Sequence, residues 1–170
     1  MKKLLLLVIA LSMILSPLGI KAEESHEIVF TDSFEHNILA NWNFTTLSTK
    51  TSVMQTEGIY TDGTISVYIS DIFTDKTSGL VSKPFDITAG ETYTAAIDMY
   101  VVSGISIRGF LKFFSADGKS LLAKSFSTKE TEKWTTISLT AVAPENATKA
   151  TLTICGTGKE EGGKRNRRFI

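Results

Sequence analysis

From about residue 28 onward the chain is cut into short runs rich in Val, Ile, Thr, Phe and Tyr, punctuated by Gly, Asp, Asn and Ser. β-branched and aromatic residues suit a pleated, half-buried surface, so such runs read as strands. The candidate strands are 28–34, 42–46, 51–56, 65–70, 79–87, 93–102, 106–115, 120–126, 134–141 and 149–155. Asp117-Gly118 is a hairpin turn signal, and Ala89-Gly90 and Asp62-Gly63 are similar punctuation. No segment after residue 22 sustains a helical period. Strands of this length, each with one apolar row to bury, stack into two layers. The expected fold is all-β, a β-sandwich jelly roll.

Alternation sorts the faces of the longest strands. In 93–102, Tyr93, Ala95, Ile97, Met99 and Val101 form the expected core row, and Thr94, Ala96, Asp98, Tyr100 and Val102 the opposite one. In 108–114, Gly109, Leu111 and Phe113 oppose Arg108, Phe110, Lys112 and Phe114. In 65–70, Ile65, Val67 and Ile69 are expected inside and Ser66, Tyr68 and Ser70 outside. Three neighbouring strand segments therefore offer aromatic rings beside polar groups on what is expected to be one outer face.

The N-terminus reads as a secretory signal over residues 1–22, preceding the sandwich as a signal helix. Lys2 and Lys3 open it, Leu4 to Leu15 form an apolar core, Pro17 and Gly19 break it, and Ala22 offers a small residue for cleavage. The apolar core is short against the ~20 residues a membrane-spanning helix needs. Cleavage there leaves 148 of 170 residues, one domain's worth. The expected localisation is secreted, with no membrane association once the signal is removed, and the expected state is a monomer.

The formal net charge of zero hides an asymmetry. Residues 23–158 hold 10 bases and 16 acids, a net charge of −6, and the last twelve residues hold five bases and two acids. An acidic body gives no electrostatic reason to bind nucleic acid. Cys155 is the only cysteine, so no disulfide forms within the chain. It reads as a buried structural thiol. Paired catalytic carboxylates, a Gly-x-Ser-x-Gly elbow, zinc spacings and a phosphate loop are all missing, and both histidines, His26 and His36, lie near the N-terminus. The sequence implies no enzyme and no organic cofactor.

Sugar recognition makes a clear physical demand. The apolar C–H face of a pyranose packs on an aromatic ring, and planar or charged side chains take its hydroxyls. Tyr68, Tyr100 and Phe110 supply candidate rings, and Asp98, Arg108 and Lys112 candidate polar partners. The alternative is ordinary strand aromatics beside a solvated charged face.

Several motifs follow one another in a telling order. Pro84-Phe85-Asp86-Ile87-Thr88-Ala89-Gly90-Glu91-Thr92-Tyr93 places an apolar pair, a glycine turn and an aromatic before a long strand. Gly63 to Ile69 precedes it, and Phe113-Phe114-Ser115-Ala116-Asp117-Gly118-Lys119, Trp134 and Ala143-Pro144-Glu145-Asn146-Ala147-Thr148 follow. This order, over residues 28–157, resembles the jelly-roll carbohydrate-binding modules of the CenC type, within the galactose-binding-like β-sandwiches. The resemblance implies a non-catalytic module over residues 23–157 that binds a polysaccharide or cell-surface glycan. The alternative function is a structural or adhesion domain of the same fold. By the same resemblance Trp134, and Trp42 after Asp32-Ser33-Phe34-Glu35, serve packing. Many such modules hold a structural calcium ion between an N-terminal acidic motif and an aspartate pair on the last strand. Asp32 and Glu35 match the first half of that site, and the second half is missing.

The resemblance stops at residue 157. Residues 158–170 are expected to be an unpacked basic tail in place of the family's final Asp-Asp strand. If Gly162 to Phe169 are encoded GGC GGA AAG CGT AAT CGA CGA TTT, followed by the A that opens the Ile170 codon, a shift of one base reads Ala-Glu-Ser-Val-Ile-Asp-Asp-Leu. The tail is therefore expected to be a frameshift, and the chain a truncated remnant of a larger extracellular glycoside hydrolase or cell-wall protein.

Overall fold

A computed structural model of the protein describes residues 28–45, 52–61, 63–71, 78–102, 106–157 and 166–169. The expected signal segment 1–22 lies outside them. The described residues form two antiparallel sheets packed as a sandwich, with one 3-10 turn, Ile38–Ala40, and no α-helix among them.

Strands β1 (Trp42–Phe44), β4 (Gly79–Ser82), β10 (Ala147–Thr157), β7 (Ser106–Ser115) and β8 (Ser120–Thr128) lie in that order in the first sheet. The short β5 (Phe85–Asp86) pairs with the other end of β10. The second sheet runs β2 (Ser52–Glu57), β3 (Ile65–Asp71), β11 (Asn166–Phe169), β6 (Thr92–Val101) and β9 (Trp134–Val142). Consecutive strands β6 and β7 belong to opposite sheets, as do β8 and β9.

Nine of the expected strand regions match these elements to within a few residues. Segment 79–87 is split into β4 and β5 at Lys83-Pro84, because proline has no N–H for the ladder and the Lys83 amide turns to the Asn41 carbonyl at 2.7 Å. Segment 28–34 is not a strand. It is held by side chains instead of a ladder. The Phe30 ring meets Trp42 edge-on at 5.6 Å and stacks on Phe85 at 5.2 Å. Phe34, at φ 62°, turns into the core beside Trp42 at 5.5 Å.

The tail is also corrected, at four residues. Asn166–Phe169 form β11, antiparallel to both neighbours, with Arg168 registered opposite Ile69 and Val101 and Phe169 opposite Tyr68 and Tyr100. Strands β3 and β6 flank β11 on either side, two strand spacings apart, and their backbone groups demand a partner, so even a basic segment pairs there.

Between the sheets the inner rows interlock. Val67, Ile69, Ile97, Met99 and Val101 of the second sheet face Leu80, Ile107, Leu152 and Ile154 of the first. A second cluster gathers Leu111, Phe113, Ala141, Ala143, Ala147 and Ala150, with Tyr93 against Phe113. Gly109 is set by this packing, since a Cβ there would sit 2.5 Å from the Phe126 ring. Trp42 is buried at the sandwich edge, as expected. Cys155 is buried too, its Sγ 3.7 Å from the Arg108 carbonyl.

The inner row of β6 generates a stability prediction. Tyr93 packs on Phe113 and its hydroxyl accepts the Thr88 amide at 2.7 Å. Tyr93→Ala and Phe113→Ala are each expected to destabilise by about 3 kcal/mol or more in chemical denaturation. A loss below about 1 kcal/mol for both would mean that this row is not the core.

Candidate functional site

The outward rows of the second sheet converge on one aromatic strip. In β9 the apolar residues Ile137, Leu139 and Ala141 turn inward, which puts Trp134, Thr136, Ser138 and Thr140 outside. The β6–β9 register sets Tyr100 opposite Trp134 and Asp98 opposite Thr136. The β2–β3 register sets Met54 opposite Tyr68. Met54, Tyr68, position 169, Tyr100 and Trp134 are therefore cross-strand neighbours in one line over all five strands. Four strand spacings make that line about 19 Å long. Tyr68, Tyr100 and Trp134 are half-buried, and Met54 is exposed.

The rings are held in place. Tyr100 and Trp134 meet edge to face, centroids 5.7 Å apart and planes at 64°. That geometry orders both rings and leaves them at the surface. Asp98 is exposed beside them. Its Oδ1 accepts the Thr136 hydroxyl at 2.5 Å and its Oδ2 the Thr61 hydroxyl at 3.4 Å. The carboxylate is oriented by two neighbours and keeps acceptor capacity toward solvent.

The other three candidate residues lie elsewhere. Arg108, Phe110 and Lys112 alternate on β7, in the first sheet, with Leu111 and Phe113 pointing inward between them. They occupy the outer face of that sheet, on the far side of the sandwich from Tyr68, Asp98 and Tyr100. The expected six-residue cluster is thus two sets of three. Phe110 is half-buried, with the Arg108 guanidinium 5.8 Å and the Lys112 ammonium 5.5 Å from its ring centroid. Two cations over one ring form a self-contained cation–π arrangement. Trp134, expected to serve packing, does pack on Tyr100, and it does so half-buried on the outer row of β9.

A cavity of about 380 Å³ is lined by residues 29–34 of the N-terminal segment with Trp42 and Phe85, by residues of β3, β6 and the first sheet, and by Tyr60, Thr61, Asp98 and Trp134. A volume of this size is within the range of small-molecule clefts, about 300–1,000 Å³.

Asp32 and Glu35, the candidate calcium ligands, are engaged by protein donors. Asp32 Oδ1 accepts the Phe34 amide at 2.7 Å, and its Oδ2 accepts Asn41 Nδ2 and Trp42 Nε1, each at 2.9 Å. Glu35 Oε1 accepts the Thr64 and Ile65 amides at 2.8 Å, and Oε2 the Thr64 hydroxyl at 2.9 Å. Gly63, at φ +71°, leaves room for this carboxylate, since a Cβ there would sit 2.2 Å from Oε1. Oxygens that face N–H and O–H donors do not fit a calcium shell as arranged. Among the described residues no third carboxylate, histidine or cysteine joins either one.

The Thr64 and Ile65 amides, with smaller help from the Thr64 hydroxyl, hold the Glu35 carboxyl below its usual 4.5. A pKa lowered by folding stabilises the fold above the unfolded value, and the benefit is lost as pH falls through the lowered pKa. Thermal stability is therefore expected to decline as pH drops from 4.5 toward the lowered value. Glu35→Gln should flatten that part of the profile, and an unchanged slope would mean that the contact does not form in solution.

Comparison with known proteins bears on this geometry. No curated protein sequence matches the chain. The fold is similar to the tandem CBM22 domains of Paenibacillus barcinonensis Xyn10C, with TM-score 0.62 and 15% identity over 88% of this chain and 48% of that one. It is also similar to the family 11 carbohydrate-binding module of Clostridium thermocellum in complex with a β-1,3-1,4-mixed-linked tetrasaccharide. There the TM-score is 0.56 and the identity 15%, over 82% of this chain and 89% of that one. A bacteriophage CBA120 tailspike enzymatic domain matches at TM-score 0.64 and 12% identity, over 81% of this chain. This chain spans about a fifth of the tailspike domain and half of the tandem, at 19% and 48% of their lengths. The family model described as "Carbohydrate binding domain" matches residues 26–161, and the chain belongs to that family.

Proposed function

We propose that this protein is a secreted, non-catalytic glycan-binding module whose binding surface is the outer face of the second sheet. The observation that carries this reading is the shared face of Tyr68, Tyr100 and Trp134, with a hydroxyl-held Asp98 beside them. Rings at the surface of a sheet suit the apolar faces of successive pyranoses, and an oriented carboxylate suits their hydroxyls. Arg108, Phe110 and Lys112 take no part. The ligand class is an extended β-linked polysaccharide. Support comes from structural relatives described as a xylan-binding domain and as a module in complex with a mixed-linked tetrasaccharide. Export by the N-terminal segment and origin in a larger extracellular glycoside hydrolase or cell-wall protein are further parts of the same reading.

The test is a pull-down on insoluble polysaccharides followed by titration of soluble oligosaccharides. Stacking one pyranose on an aromatic ring contributes about 1–2 kcal/mol. Tyr100→Ala and Trp134→Ala should each weaken binding roughly tenfold, since ~1.4 kcal/mol is one decade. Phe110→Ala, on the far face, should leave affinity unchanged. Equal losses at Phe110 and Tyr100, or no binding to any glycan, would overturn the assignment.

Calcium is proposed to play no part, because the Asp32 and Glu35 oxygens already accept protein donors. Chelator and millimolar calcium should give the same Tm. A calcium-dependent rise would show that these carboxylates rearrange around the ion.

A further inference from the structure

The first sheet is charged differently from the rest of the domain. Strands β1, β4, β10, β7 and β8 carry no aspartate or glutamate, although residues 23–158 hold 16 acids against 10 bases. The same strands carry Arg108, Lys112, Lys124 and Lys149. The short β5 adds Asp86, which Lys149 takes as an ion pair. Arg108 and Lys112 stand on the outer face, and among the described residues no carboxylate pairs with either. Their register partners on β8 are the short Ser127 and Ala123.

The two cations converge. Four residues apart on one strand, their Cα positions are separated by about 13 Å. Yet the Arg108 guanidinium and the Lys112 ammonium lie 5.8 Å and 5.5 Å from the centroid of the one Phe110 ring between them. A neutral ring attracts cations and restrains their long side chains, but it leaves their charge uncompensated. Two held and unpaired positive charges therefore share one place on an otherwise acidic domain.

A second observation is independent of charge. Strand β10 turns Ala150, Leu152 and Ile154 inward, so Thr151 and Thr153 stand on the same outer face. Thr151 is registered opposite Lys112 and Thr153 opposite Phe110. Each is 7% exposed, and each hydroxyl is buried without a hydrogen-bond partner. An unpaired buried hydroxyl costs stability, and an ion is one of the partners that resolves it. The cluster thus offers guanidinium, ammonium and two hydroxyl donors, with no anionic acceptor among them.

We propose that this cluster is a phosphate-binding site. Arg108 and Lys112 grip a doubly charged phosphate group, and Phe110 keeps both cations beside it. The Lys112 chain lifts from the ring to meet the anion, and the Thr151 and Thr153 hydroxyls then donate to its oxygens. A phosphate monoester carries about −1.5 to −2 charges at pH 7 and three strong acceptor oxygens, which match two cations and two hydroxyls. A carboxylate brings one charge and two oxygens. The site is separate from the aromatic strip, which lies on the other sheet.

Inorganic phosphate, glycerol 3-phosphate and acetate, titrated separately into the isotopically labelled full chain at constant low ionic strength, test the site. Both phosphates should shift the Arg108 and Lys112 side chains and the Thr151 and Thr153 amides along one binding curve, with Tyr100 and Trp134 unmoved. Both should bind about tenfold or more tighter than acetate. Tighter binding of glycerol 3-phosphate than of inorganic phosphate marks an ester as the source, and equal affinity marks the phosphate group alone. Arg108→Gln and Lys112→Gln should each weaken binding about tenfold. Thr151→Val combined with Thr153→Val should weaken it several-fold yet keep the Tm of the free protein, because only unpartnered hydroxyls are removed. No shift with either phosphate, shifts spread over all the surface lysines, equal binding of acetate, or unchanged affinity in these variants overturns the proposal. No glycan is present, so failure of the glycan assignment leaves this readout intact.

Discussion

Each long strand of this domain presents one row of side chains inward and one outward, because successive residues along a strand point to opposite faces. The inner rows of β6, β3 and β9 meet those of β7, β10 and β4, and their burial holds the two sheets together. Once those rows are fixed, each outward residue is committed to one of two surfaces on opposite sides of the sandwich. Tyr100 and Phe110 stand on neighbouring strands in the chain yet cannot touch one ligand. Function is confined to whichever outer face gathers the right groups.

The second sheet gathers them. Cross-strand register brings Tyr68, Tyr100 and Trp134 into one line from segments that are far apart in sequence. The N-terminal segment secures the frame behind this surface. Phe30 and Phe34 clasp Trp42, the Asp32 carboxylate fixes the indole N–H, and Glu35 pins the turn at Thr64. Carboxylates that resemble half of a cation site thus act as acceptors that tie the segment to β1 and β3. Asp98 remains an exposed carboxylate beside the aromatic strip, and it is oriented by two hydroxyls.

Much of this was legible in the sequence because it depends on local alternation. The inner and outer rows of β6 and β7 fall as their apolar periods indicate, and Asp117-Gly118 forms its turn with Gly118 at φ +82°, whereas in β3 Ser66, expected outside, is buried and Ile65, expected inside, is half-buried. The sheet to which each strand belongs was not legible. Two consecutive strands joined by a short connection read alike whether they pair or cross between layers, so β7 was grouped with β6. Trp134 could have been placed on the outer strip, because Ile137, Leu139 and Ala141 set the opposite phase of β9. The indole was assigned only to packing, by family resemblance. Segment 28–34 has strand-like residues but no partner edge. Asn166–Phe169 shows the converse, a strand created by vacant neighbouring edges rather than by its own composition.

The central claim is that the glycan surface is the outer face of the second sheet and no other. Amide and side-chain chemical shifts of the isotopically labelled protein, followed during titration with a β-linked oligosaccharide it binds, test it most directly. The account predicts that Tyr68, Asp98, Tyr100, Trp134 and Thr136 shift together along one binding curve, while Arg108, Phe110 and Lys112 stay still. Shifts centred on Arg108 to Lys112, with the Tyr100 and Trp134 rings unmoved, would contradict it.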